Sequence, residues 1–392
     1  MHETPSPSTG LPSRWALGVA AITAAAVVLM LAPPVLRAQA LLGLYLNERS
    51  VWILALSLLT TVLLYRSAGR GLVWWLSLIV AVGSAAVFLR PPLQAFSIAK
   101  REGLTLSWSR FVHSRVDEGP VAPAPVSHVF ATVDGRELSL DVYGPGGKAA
   151  SRAIVVLHGG GWSAGDKGEL PFTSAYLAQQ GLVVVDAQYR LDPAPNWRIA
   201  VGDVKCAVAW VRANAVKLGV DPNRITLLGR SAGGHLALVA AYAAEEGSLP
   251  SSCGTGDARV DSVVALYAPI DLVWGHANPS HPGVYDGTAR LERFLGGSPQ
   301  TVPDSYAQAS PLTHVKPGVP ATLLIHGGTD AFVSARHVAF LTPKLDAAGV
   351  RYRVVKIPYA EHGFDNIFGG WSGQLAEGAV LKFLSATVPS GR

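Results

Sequence analysis

Residues 225–234 read ITLLGRSAGG, and this stretch decides the fold. A short apolar run ends at Leu228, a G-x-S-x-G motif follows at once, and a helix-like run begins after Ser231. A serine on such a sharp strand-to-helix turn needs small neighbours two positions away, which Gly229 and Gly233 provide. The start of the helix directs backbone N–H groups at the serine oxygen. The pattern favours Ser231 as a nucleophile, and the alternative is a tight turn with an idle serine.

Short apolar runs alternate with helix-like stretches from residue 126 onward. Asp134-Gly135 between the first two runs is a strong hairpin signal. Continuous apolar strands that alternate with helices indicate a mainly parallel sheet that is covered on both faces. The sequence therefore predicts one α/β domain with a doubly wound, mostly parallel sheet. Its predicted strands are 126–133, 137–143, 153–157, 182–186, 225–228, 263–267, 322–325 and 352–357.

A glycine-rich loop, HGGGW at residues 158–162, follows one of the predicted strands. Consecutive glycines let the backbone approach a reacting group closely. In acyl transfer, each preorganised N–H group aimed at the developing oxyanion contributes about 2.7–4 kcal/mol. The candidate donors of such an oxyanion hole are the backbone N–H groups of Gly160, Gly161 and Ala232. We expect His158 to position this loop rather than to take part in catalysis.

The catalytic partners of Ser231 are expected later in the chain. A serine hydroxyl needs a base, and the base needs an acid that orients it. In strand–turn–helix sites of this kind, the acid and then the histidine follow the serine in sequence. Asp330 follows an apolar strand and a glycine turn, and His362 lies in the loop after the last predicted strand. These two residues are the predicted acid and base. Asp365 is the alternative acid, but it is too close to His362 in sequence to reach across to it easily.

Three long apolar stretches without a charged residue lie near the N-terminus, at residues 15–36, 50–65 and 71–89. A helix that crosses the hydrocarbon core of a membrane needs about 20 mainly apolar residues. Tryptophans near the ends of the stretches are typical of the membrane interface. The sequence therefore predicts about three transmembrane helices. For the first stretch the alternative is a signal peptide, because residues 38–40 read AQA, which resembles a cleavage site.

The predicted organisation is an N-terminal tail (1–14), a membrane region (15–90), a juxtamembrane segment with a linker (91–125) and the α/β domain (126–392). Pro91 and Pro92 are expected to end the third span. Residues 93–115 mix apolar and basic side chains, so they either lie on the membrane surface or form a first docking element of the α/β domain. The proline-rich residues 119–125 predict a short stiff linker.

Three spans place the two termini on opposite sides of the membrane. Lys and Arg in short flanking segments mark the cytoplasmic side. Three such residues argue for an exterior α/β domain and five for a cytoplasmic one: Arg14, Arg66 and Arg70 against Arg37, Arg49, Arg90, Lys100 and Arg101. A long C-terminal domain is translocated largely regardless of charge, and the signal-like start favours a cytoplasmic N-terminus. We therefore predict a multi-pass membrane protein whose α/β domain faces the exterior or the periplasm.

The composition excludes several classes of protein. With 49% hydrophobic and 15% charged residues, the chain is not intrinsically disordered. Basic residues do not cluster with aromatic ones, so no nucleic-acid partner is expected. No ligand pairs at short spacing, such as H-E-x-x-H, occur, so no metal is expected. Cys206 and Cys253 are interpreted as packed or idle thiols.

Together these motifs resemble those of the α/β-hydrolase superfamily. The HGGGW loop, the segment QYRLDP at 188–193, the turn at 229–234 and the Asp330/His362 pair are similar to carboxylesterases of the hormone-sensitive-lipase and feruloyl-esterase-like type. The resemblance covers about residues 126–384. It implies hydrolysis of carboxylic esters through an acyl-enzyme and without a cofactor. It also implies a small-molecule or lipid ester as substrate. The lipid bilayer is the other expected partner, because of the three predicted spans.

Two positions depart from the family pattern. Arg230 stands where the lipase-like group usually has an acidic residue, and Asp192 stands where alanine is more usual. An N-terminal membrane region ahead of such a domain is similar to prenylcysteine methylesterases. An amidase or acyltransferase with the same triad, or a catalytically idle membrane scaffold, are the alternative functions. The long insertion from Asp271 to about Pro311 is expected to determine specificity. The oligomeric state is left open.

Overall fold

The computed structural model describes residues 11–113, 124–144, 151–254 and 256–386. In these ranges the helices are α1 (Leu11–Leu31), α2 (Arg37–Ala68), α3 (Leu72–Glu102), α4 (Trp108–His113), α5 (Pro171–Gln179), α6 (Trp197–Ala213), α7 (Ala215–Leu218), α8 (Ala232–Tyr242), α9 (Leu272–Ala277), α10 (Gly287–Leu295), α11 (Pro303–Ala309), α12 (His337–Ala347) and α13 (Trp371–Ala386). The strands are β1 (Val126–Val133), β2 (Arg136–Tyr143), β3 (Ser151–Leu157), β4 (Val183–Ala187), β5 (Val220–Arg230), β6 (Ser262–Leu266), β7 (Ala321–Gly327) and β8 (Tyr352–Ile357).

The strands of the described chain form one sheet in the order β1-β2-β4-β3-β5-β6-β7-β8. β1 and β2 form the predicted hairpin around Asp134-Gly135, and β2 pairs antiparallel with β4. The remaining neighbours are parallel. The predicted mostly parallel sheet is thus confirmed. Because the carboxyl ends of parallel strands meet at one edge, the loops after β3, β5, β7 and β8 gather there.

Helices cover both faces of the sheet. In β3, Ala153 and Val155 pack with residues of α6, α8 and α12 on one face. Ile154 and Val156 pack with residues of α5 and α13 on the other face. Burial on both sides explains why the central strands read as continuous apolar runs rather than as alternating patterns.

The first three helices are long and apolar enough to cross a membrane, judged by length and composition. Many large apolar side chains on their outer faces are exposed, among them Trp15, Ile22 and Val28 on α1, Leu56, Leu59 and Leu63 on α2, and Leu72, Ile79 and Val82 on α3. Contiguous exposed apolar surface of this kind marks an interaction site for lipid or protein. The second apolar stretch lies within α2, whereas α1 covers residues 15–31 of the first stretch and α3 covers residues 72–89 of the third.

The expectation that Pro91 and Pro92 end the third span is wrong, because α3 continues through both prolines to Glu102. Proline lacks an N–H group, so Pro92 cannot donate to the carbonyl oxygen of Phe88 four residues earlier. The hydroxyl of Ser50 on α2 donates to that oxygen instead, at 2.7 Å. A side chain from the neighbouring helix thereby satisfies the carbonyl group that the proline leaves free.

The segment after Pro92 packs into the α/β domain. Ala95, Ile98 and Ala99 on the last turns of α3 are buried in the core that lies between the sheet and α13. Phe111 of α4 stacks on Trp371 of α13, with ring centroids 4.2 Å apart. Of the two alternatives for this segment, the structure therefore adopts the docking element. The predicted linker, residues 119–125, lies mostly outside the described residues.

The first turns of α2 also contact the α/β domain. Ala40 packs with Val284 and Ala331. The buried carboxylate of Glu48 accepts a hydrogen bond from the backbone N–H of Ser372 at 3.1 Å. The part of α2 from Ala40 to Glu48 therefore packs partly against the α/β domain.

Cys206 and Cys253 form a disulfide bond, with Cα atoms 5.6 Å apart. The interpretation of these residues as packed or idle thiols is therefore wrong. Cys206 lies on the buried face of α6, and the segment after α8 returns over that helix, with Ser252 N–H donating to the carbonyl oxygen of Gly202 at 3.0 Å. The 47-residue separation of the cysteines hides this contact from the sequence.

Candidate active site

Ser231 sits on a strained turn between β5 and α8. Its backbone angles are φ 52° and ψ −118°, a region that L-residues rarely adopt and that costs about 1–3 kcal/mol. A Cβ atom on Gly229 would lie 2.1 Å from the carbonyl oxygen of Gly233. A Cβ atom on Gly233 would lie 2.3 Å from the carbonyl oxygen of His158. Glycine at both positions is thus required by close backbone contact, and this contact brings the glycine-rich loop beside Ser231.

The structure brings together the three side chains that the sequence predicted as nucleophile, base and acid. The Nε2 atom of His362 lies 2.9 Å from the Oγ atom of Ser231. The Nδ1 atom of His362 lies 2.8 Å from the Oδ2 atom of Asp330. The pairing of β7 with β8 places the loops that carry Asp330 and His362 next to each other. The hydrogen-bonded order is therefore Ser231, His362, Asp330.

The carboxylate of Asp330 is buried and fully hydrogen-bonded. Its Oδ1 atom accepts from the backbone N–H groups of Phe332 and Val333, at 2.9 and 2.8 Å. Burial alone raises the pKa of a carboxyl group, but the nearby His362 and hydrogen bonds from His326 and His362 outweigh it. The pKa of Asp330 consequently lies well below its usual range, and the carboxylate stays ionised.

The glycine-rich loop lines the same pocket as Ser231. Gly160 and Gly161 have φ values of 100° and 59°, and both line the pocket with Ser231. In the described part of the chain, neither N–H group donates a hydrogen bond to the protein. Ala232 is the first residue of α8, so its N–H group has no partner within the helix. These three groups are available to an oxygen atom next to Ser231.

His158 lies behind the glycine-rich loop. Its ring stacks on Tyr189, with centroids 4.2 Å apart, and its Nδ1 atom lies 2.9 Å from the carbonyl oxygen of Gly159. The hydroxyl of Tyr189 lies 3.1 Å from the carbonyl oxygens of His158 and Gly159. Burial lowers the pKa of His158, so the ring is held neutral. The contacts of this ring are with the loop, and Ser231 is not among them.

A buried ion pair lies beneath the site and was not predicted from the sequence. The Nε atom of Arg230 donates to Asp365 at 2.5 Å, and the Tyr267 hydroxyl donates to the other oxygen at 2.5 Å. The ring of Tyr267 in turn packs 4.5 Å from that of His362. Asp365, the alternative acid, is therefore engaged by Arg230 and Tyr267. Burial acts to lower the pKa of Arg230, but the charge of Asp365 outweighs it and raises that pKa above its usual value.

The insertion folds as helices over the site rather than as a long loop. Tyr285 stacks on Phe332, and Phe332 stacks on His362, with centroid distances of 4.8 and 4.9 Å. Phe294 of α10 stacks on Trp162 at 4.5 Å. Two aromatic contacts, Tyr285 with Phe332 and Phe294 with Trp162, therefore support the expectation that this insertion shapes the substrate site. The aromatic residues of the insertion were visible in the sequence, but the rings on which they stack could not be predicted from it.

Two cavities extend from Ser231. The smaller, of about 40 Å³, lies under the insertion, and its apolar lining includes Leu272, Leu291 and Val333. The larger, of about 360 Å³, carries charged side chains and is lined by Arg37, Leu41, Leu44, Glu169, Arg230, Arg290 and Glu361 among others. Burial, together with the charge of Asp330, raises the pKa of Glu361 to about 7. The sequence analysis did not predict that residues of α2 line the larger cavity, because it assigned them to the membrane region.

The family of the chain follows from a sequence match. The model of the BD-FAE family matches residues 140–345, which is more than half of the chain. The chain belongs to the BD-FAE family. This agrees with the predicted resemblance to feruloyl-esterase-like carboxylesterases, and the matched range includes the glycine-rich loop, Ser231 and Asp330.

Several curated relatives and solved structures are named as esterases or ester hydrolases. The chain is 31% identical over 235 residues to the probable carboxylic ester hydrolase LipM of Mycobacterium tuberculosis, a match that covers 59% of this chain and 53% of LipM. It is 32% identical over 239 residues to Esterase LipC of the same organism, covering 59% and 57%. The match thus spans about half the length of these relatives. A thermophilic esterase of Thermogutta terrifontis, Est2, is similar in structure, with 28% identity, a TM-score of 0.55, and coverage of 69% of this chain and 98% of that one. The predicted α/β-hydrolase fold is confirmed.

We predict that Arg230→Met lowers the free energy of unfolding by about 3–5 kcal/mol, because it leaves the buried Asp365 without its counter-ion. Denaturant unfolding measures this. The double variant Arg230→Met/Asp365→Asn should recover a large part of the loss, since neither charge remains. The matched control is Arg259→Met, which removes an arginine from an exposed pair with Asp257 and should cost less than about 1 kcal/mol. Equal losses for the two arginine variants would contradict the importance of the buried pair.

Proposed function

We propose that the protein is a membrane-anchored serine hydrolase that cleaves carboxylic esters through an acyl-enzyme. The observation that carries this proposal is the hydrogen-bonded line from Ser231 through His362 to the buried Asp330, at 2.9 and 2.8 Å. Gly160 and Gly161, whose N–H groups donate no hydrogen bond to another described residue, line the same pocket as Ser231. The names of the relatives LipM and LipC and of the structure of Est2 support the same activity.

In the proposed first step, the Ser231 hydroxyl attacks the ester carbonyl carbon. The Nε2 atom of His362 takes the hydroxyl proton, and the carbonyl oxygen becomes an oxyanion. The N–H groups of Gly160, Gly161 and Ala232 donate to this oxyanion. His362 then gives its proton to the leaving alcohol, and the acyl group stays on Ser231.

In the proposed second step, water attacks the acyl-enzyme and His362 again acts first as base and then as acid. Asp330 accepts the Nδ1–H hydrogen bond, so it fixes the tautomer that presents a bare Nε2 atom to Ser231. Its lowered pKa fits this role, because an ionised carboxylate stabilises the imidazolium that forms in each step. His158 and Arg230 are positioning residues. His158 contacts the glycine-rich loop, and Arg230 donates a hydrogen bond to Asp365.

The two cavities at Ser231 support a division of the substrate. The small apolar cavity of about 40 Å³ suits the acyl group. A cavity needs about 10–15 Å³ of such volume to hold one water molecule, so this cavity has room for roughly three or four heavy atoms. The larger cavity of about 360 Å³ suits the alcohol part. Est2 of Thermogutta terrifontis was solved with propionate bound, which supports a short acyl group here.

Membrane anchoring by α1, α2 and α3 is part of the proposal. The outer apolar side chains of these helices support it, because in water they would form a large exposed apolar patch. The disulfide Cys206–Cys253 supports an α/β domain on the exterior or periplasmic side, since disulfides form and persist in oxidising compartments. This agrees with the side that the sequence favoured.

We expect Ser231→Ala to abolish both ester turnover and labelling by a fluorophosphonate probe. His362→Ala should reduce kcat by a similar factor, because the three side chains act as a unit. Asp330→Asn should have an effect that is similar or somewhat smaller. Ser385→Ala, on the exposed end of α13, is the control and should keep full labelling. Labelling that survives Ser231→Ala, or a larger loss of kcat for Asp365→Asn than for Asp330→Asn, would refute the assignment.

The size of the acyl cavity predicts a preference for short acyl groups. With p-nitrophenyl esters, kcat/KM should be highest for acyl groups of two to four carbons and should fall by about tenfold or more at eight carbons. Leu291→Ala enlarges the cavity and should shift the preference toward longer acyl groups. A preference of the unaltered protein for eight carbons would show that the acyl group occupies the larger cavity instead.

The proposed side of the membrane predicts the redox state of the cysteines. When cells are lysed in acid and the chain is denatured without reductant, a maleimide should label no thiol, and after reduction it should label two. The Cys253→Ser variant is the control, because it leaves Cys206 unpaired and should label once without reduction. Two reactive thiols in the unreduced chain would place the α/β domain in the cytoplasm.

A further inference from the structure

A third cavity, which we call the helix cavity, lies between the three N-terminal helices and the α/β domain. Its volume is about 280 Å³. Its lining comes from the end of α1 and the following turn (Leu29–Pro34), from α2 (Gln39, Ala40, Gly43, Asn47), from α3 (Val87, Arg90, Pro91), and from the α/β domain (His281, Thr329, Tyr359, Glu361). The cavity is therefore formed only where the helices and the domain meet.

The helix cavity is a direct neighbour of the catalytic pocket. Ala40 and Glu361 line both spaces, so these two side chains form the partition between them. Glu361 is adjacent in sequence to His362, and its Oε2 atom accepts from the backbone N–H of Ala331, next to Asp330. A molecule that occupies both spaces would therefore contact Glu361, the residue that directly precedes the proposed base His362.

The lining of the helix cavity is amphipathic. Leu29, Met30, Leu31 and Val87 supply an apolar side that continues the apolar surface of the helices. The lining also holds amide, imidazole, phenol and guanidinium groups, from Gln39, Asn47, His281, Tyr359 and Arg90. The buried Nδ1 atom of His281 makes no hydrogen bond to another described residue. Such a combination of polar and apolar lining groups matches a lipid head group joined to its chain.

An apolar surface also leads from the membrane helices to the catalytic pocket. Val35, Leu36, Leu42 and Tyr45 expose large apolar side chains at the turn between α1 and α2 and on the first turns of α2. Leu41 on the same turns is about half exposed and also lines the catalytic pocket. A hydrocarbon chain that followed this surface would avoid the penalty of entering water while its ester reached Ser231.

We infer that the helix cavity is a binding site for the head-group region of a membrane amphiphile whose short-chain acyl ester is cleaved at Ser231. This inference rests on the proposed function, and it adds the class of alcohol. The ester substrate is then an O-acyl lipid that reaches the site from the bilayer, and a lipid alcohol is the product that returns to it. The small acyl cavity and the helix cavity together define both ends of this substrate.

The test compares two acetyl esters that give the same acyl-enzyme. One is p-nitrophenyl acetate, which is soluble and fits the catalytic pocket alone. The other is 1-hexadecyl-2-acetylglycerol in phosphatidylcholine vesicles into which the full chain has been reconstituted. The ratio of the two rates reports on the handling of the alcohol, because deacylation is common to both substrates.

Gly43→Leu is the variant that fills the helix cavity. A Cβ atom on Gly43 would have only the carbonyl oxygen of Leu29 nearby, at 3.9 Å, so the new side chain has space to enter the cavity. Gly83→Leu on α3 is the matched control, because Gly83 has no atom within 4 Å of its Cβ position in the described structure. Val87→Phe fills the same cavity from a different helix and guards against a folding defect in the first variant.

We expect Gly43→Leu and Val87→Phe to lower the rate on the vesicle ester, relative to p-nitrophenyl acetate, by about tenfold, a difference of about 1.4 kcal/mol. Gly83→Leu should leave the ratio unchanged. An unchanged ratio in both cavity variants, equal loss on both esters in both of them, or failure of the unaltered protein to cleave the vesicle ester would overturn the inference. In the first and last of these outcomes, turnover of p-nitrophenyl acetate shows that the proposed function still holds. If the unaltered protein cleaves neither ester, the proposed function itself is wrong.

Discussion

The close approach of two backbone segments at the carboxyl edge of the sheet is the constraint on which the site depends. Gly233 on α8 lies so near the carbonyl oxygens of Leu157 and His158 that any side chain there would collide with them. This contact fixes the strained turn at Ser231 and places the loop after β3 beside it. The proposed nucleophile and the candidate oxyanion donors are therefore positioned by one packing contact.

The second support of the site is electrostatic. Arg230 immediately precedes Ser231, and its side chain turns into the protein to pair with Asp365, which also accepts from Tyr267. Tyr267 then packs on one side of His362, while Phe332 stacks on another. The imidazole ring is thus held by aromatic contacts as well as by its hydrogen bonds to Asp330 and Ser231. An acidic residue is usual at this position in the lipase-like group. Here the position holds Arg230, which forms a buried ion pair with Asp365.

The N-terminal helices and the hydrolase domain share one packed structure. The end of α3 contributes Ala95 and Ile98 to the core on one face of the sheet, and α4 adds Phe111. The first turns of α2 form a wall of the catalytic pocket. The N-terminal helices therefore line the pocket that holds Ser231, and a domain boundary drawn on composition alone separates residues that pack together.

By itself the sequence determined the α/β fold, the turn at Ser231, the glycine-rich loop and the loops that carry Asp330 and His362. Each of these depends on a strand, a turn and the residues directly after it, so the information is local. Only the tertiary structure decided the partner of Arg230, 135 residues away, the pairing of the two cysteines, and the contact of Glu48 with Ser372 across 324 residues. It also decided that α3 passes through two prolines, since a hydroxyl on α2 satisfies the free carbonyl. These contacts join distant segments, and their geometry exists only after the sheet, its covering helices and the N-terminal bundle have packed against one another.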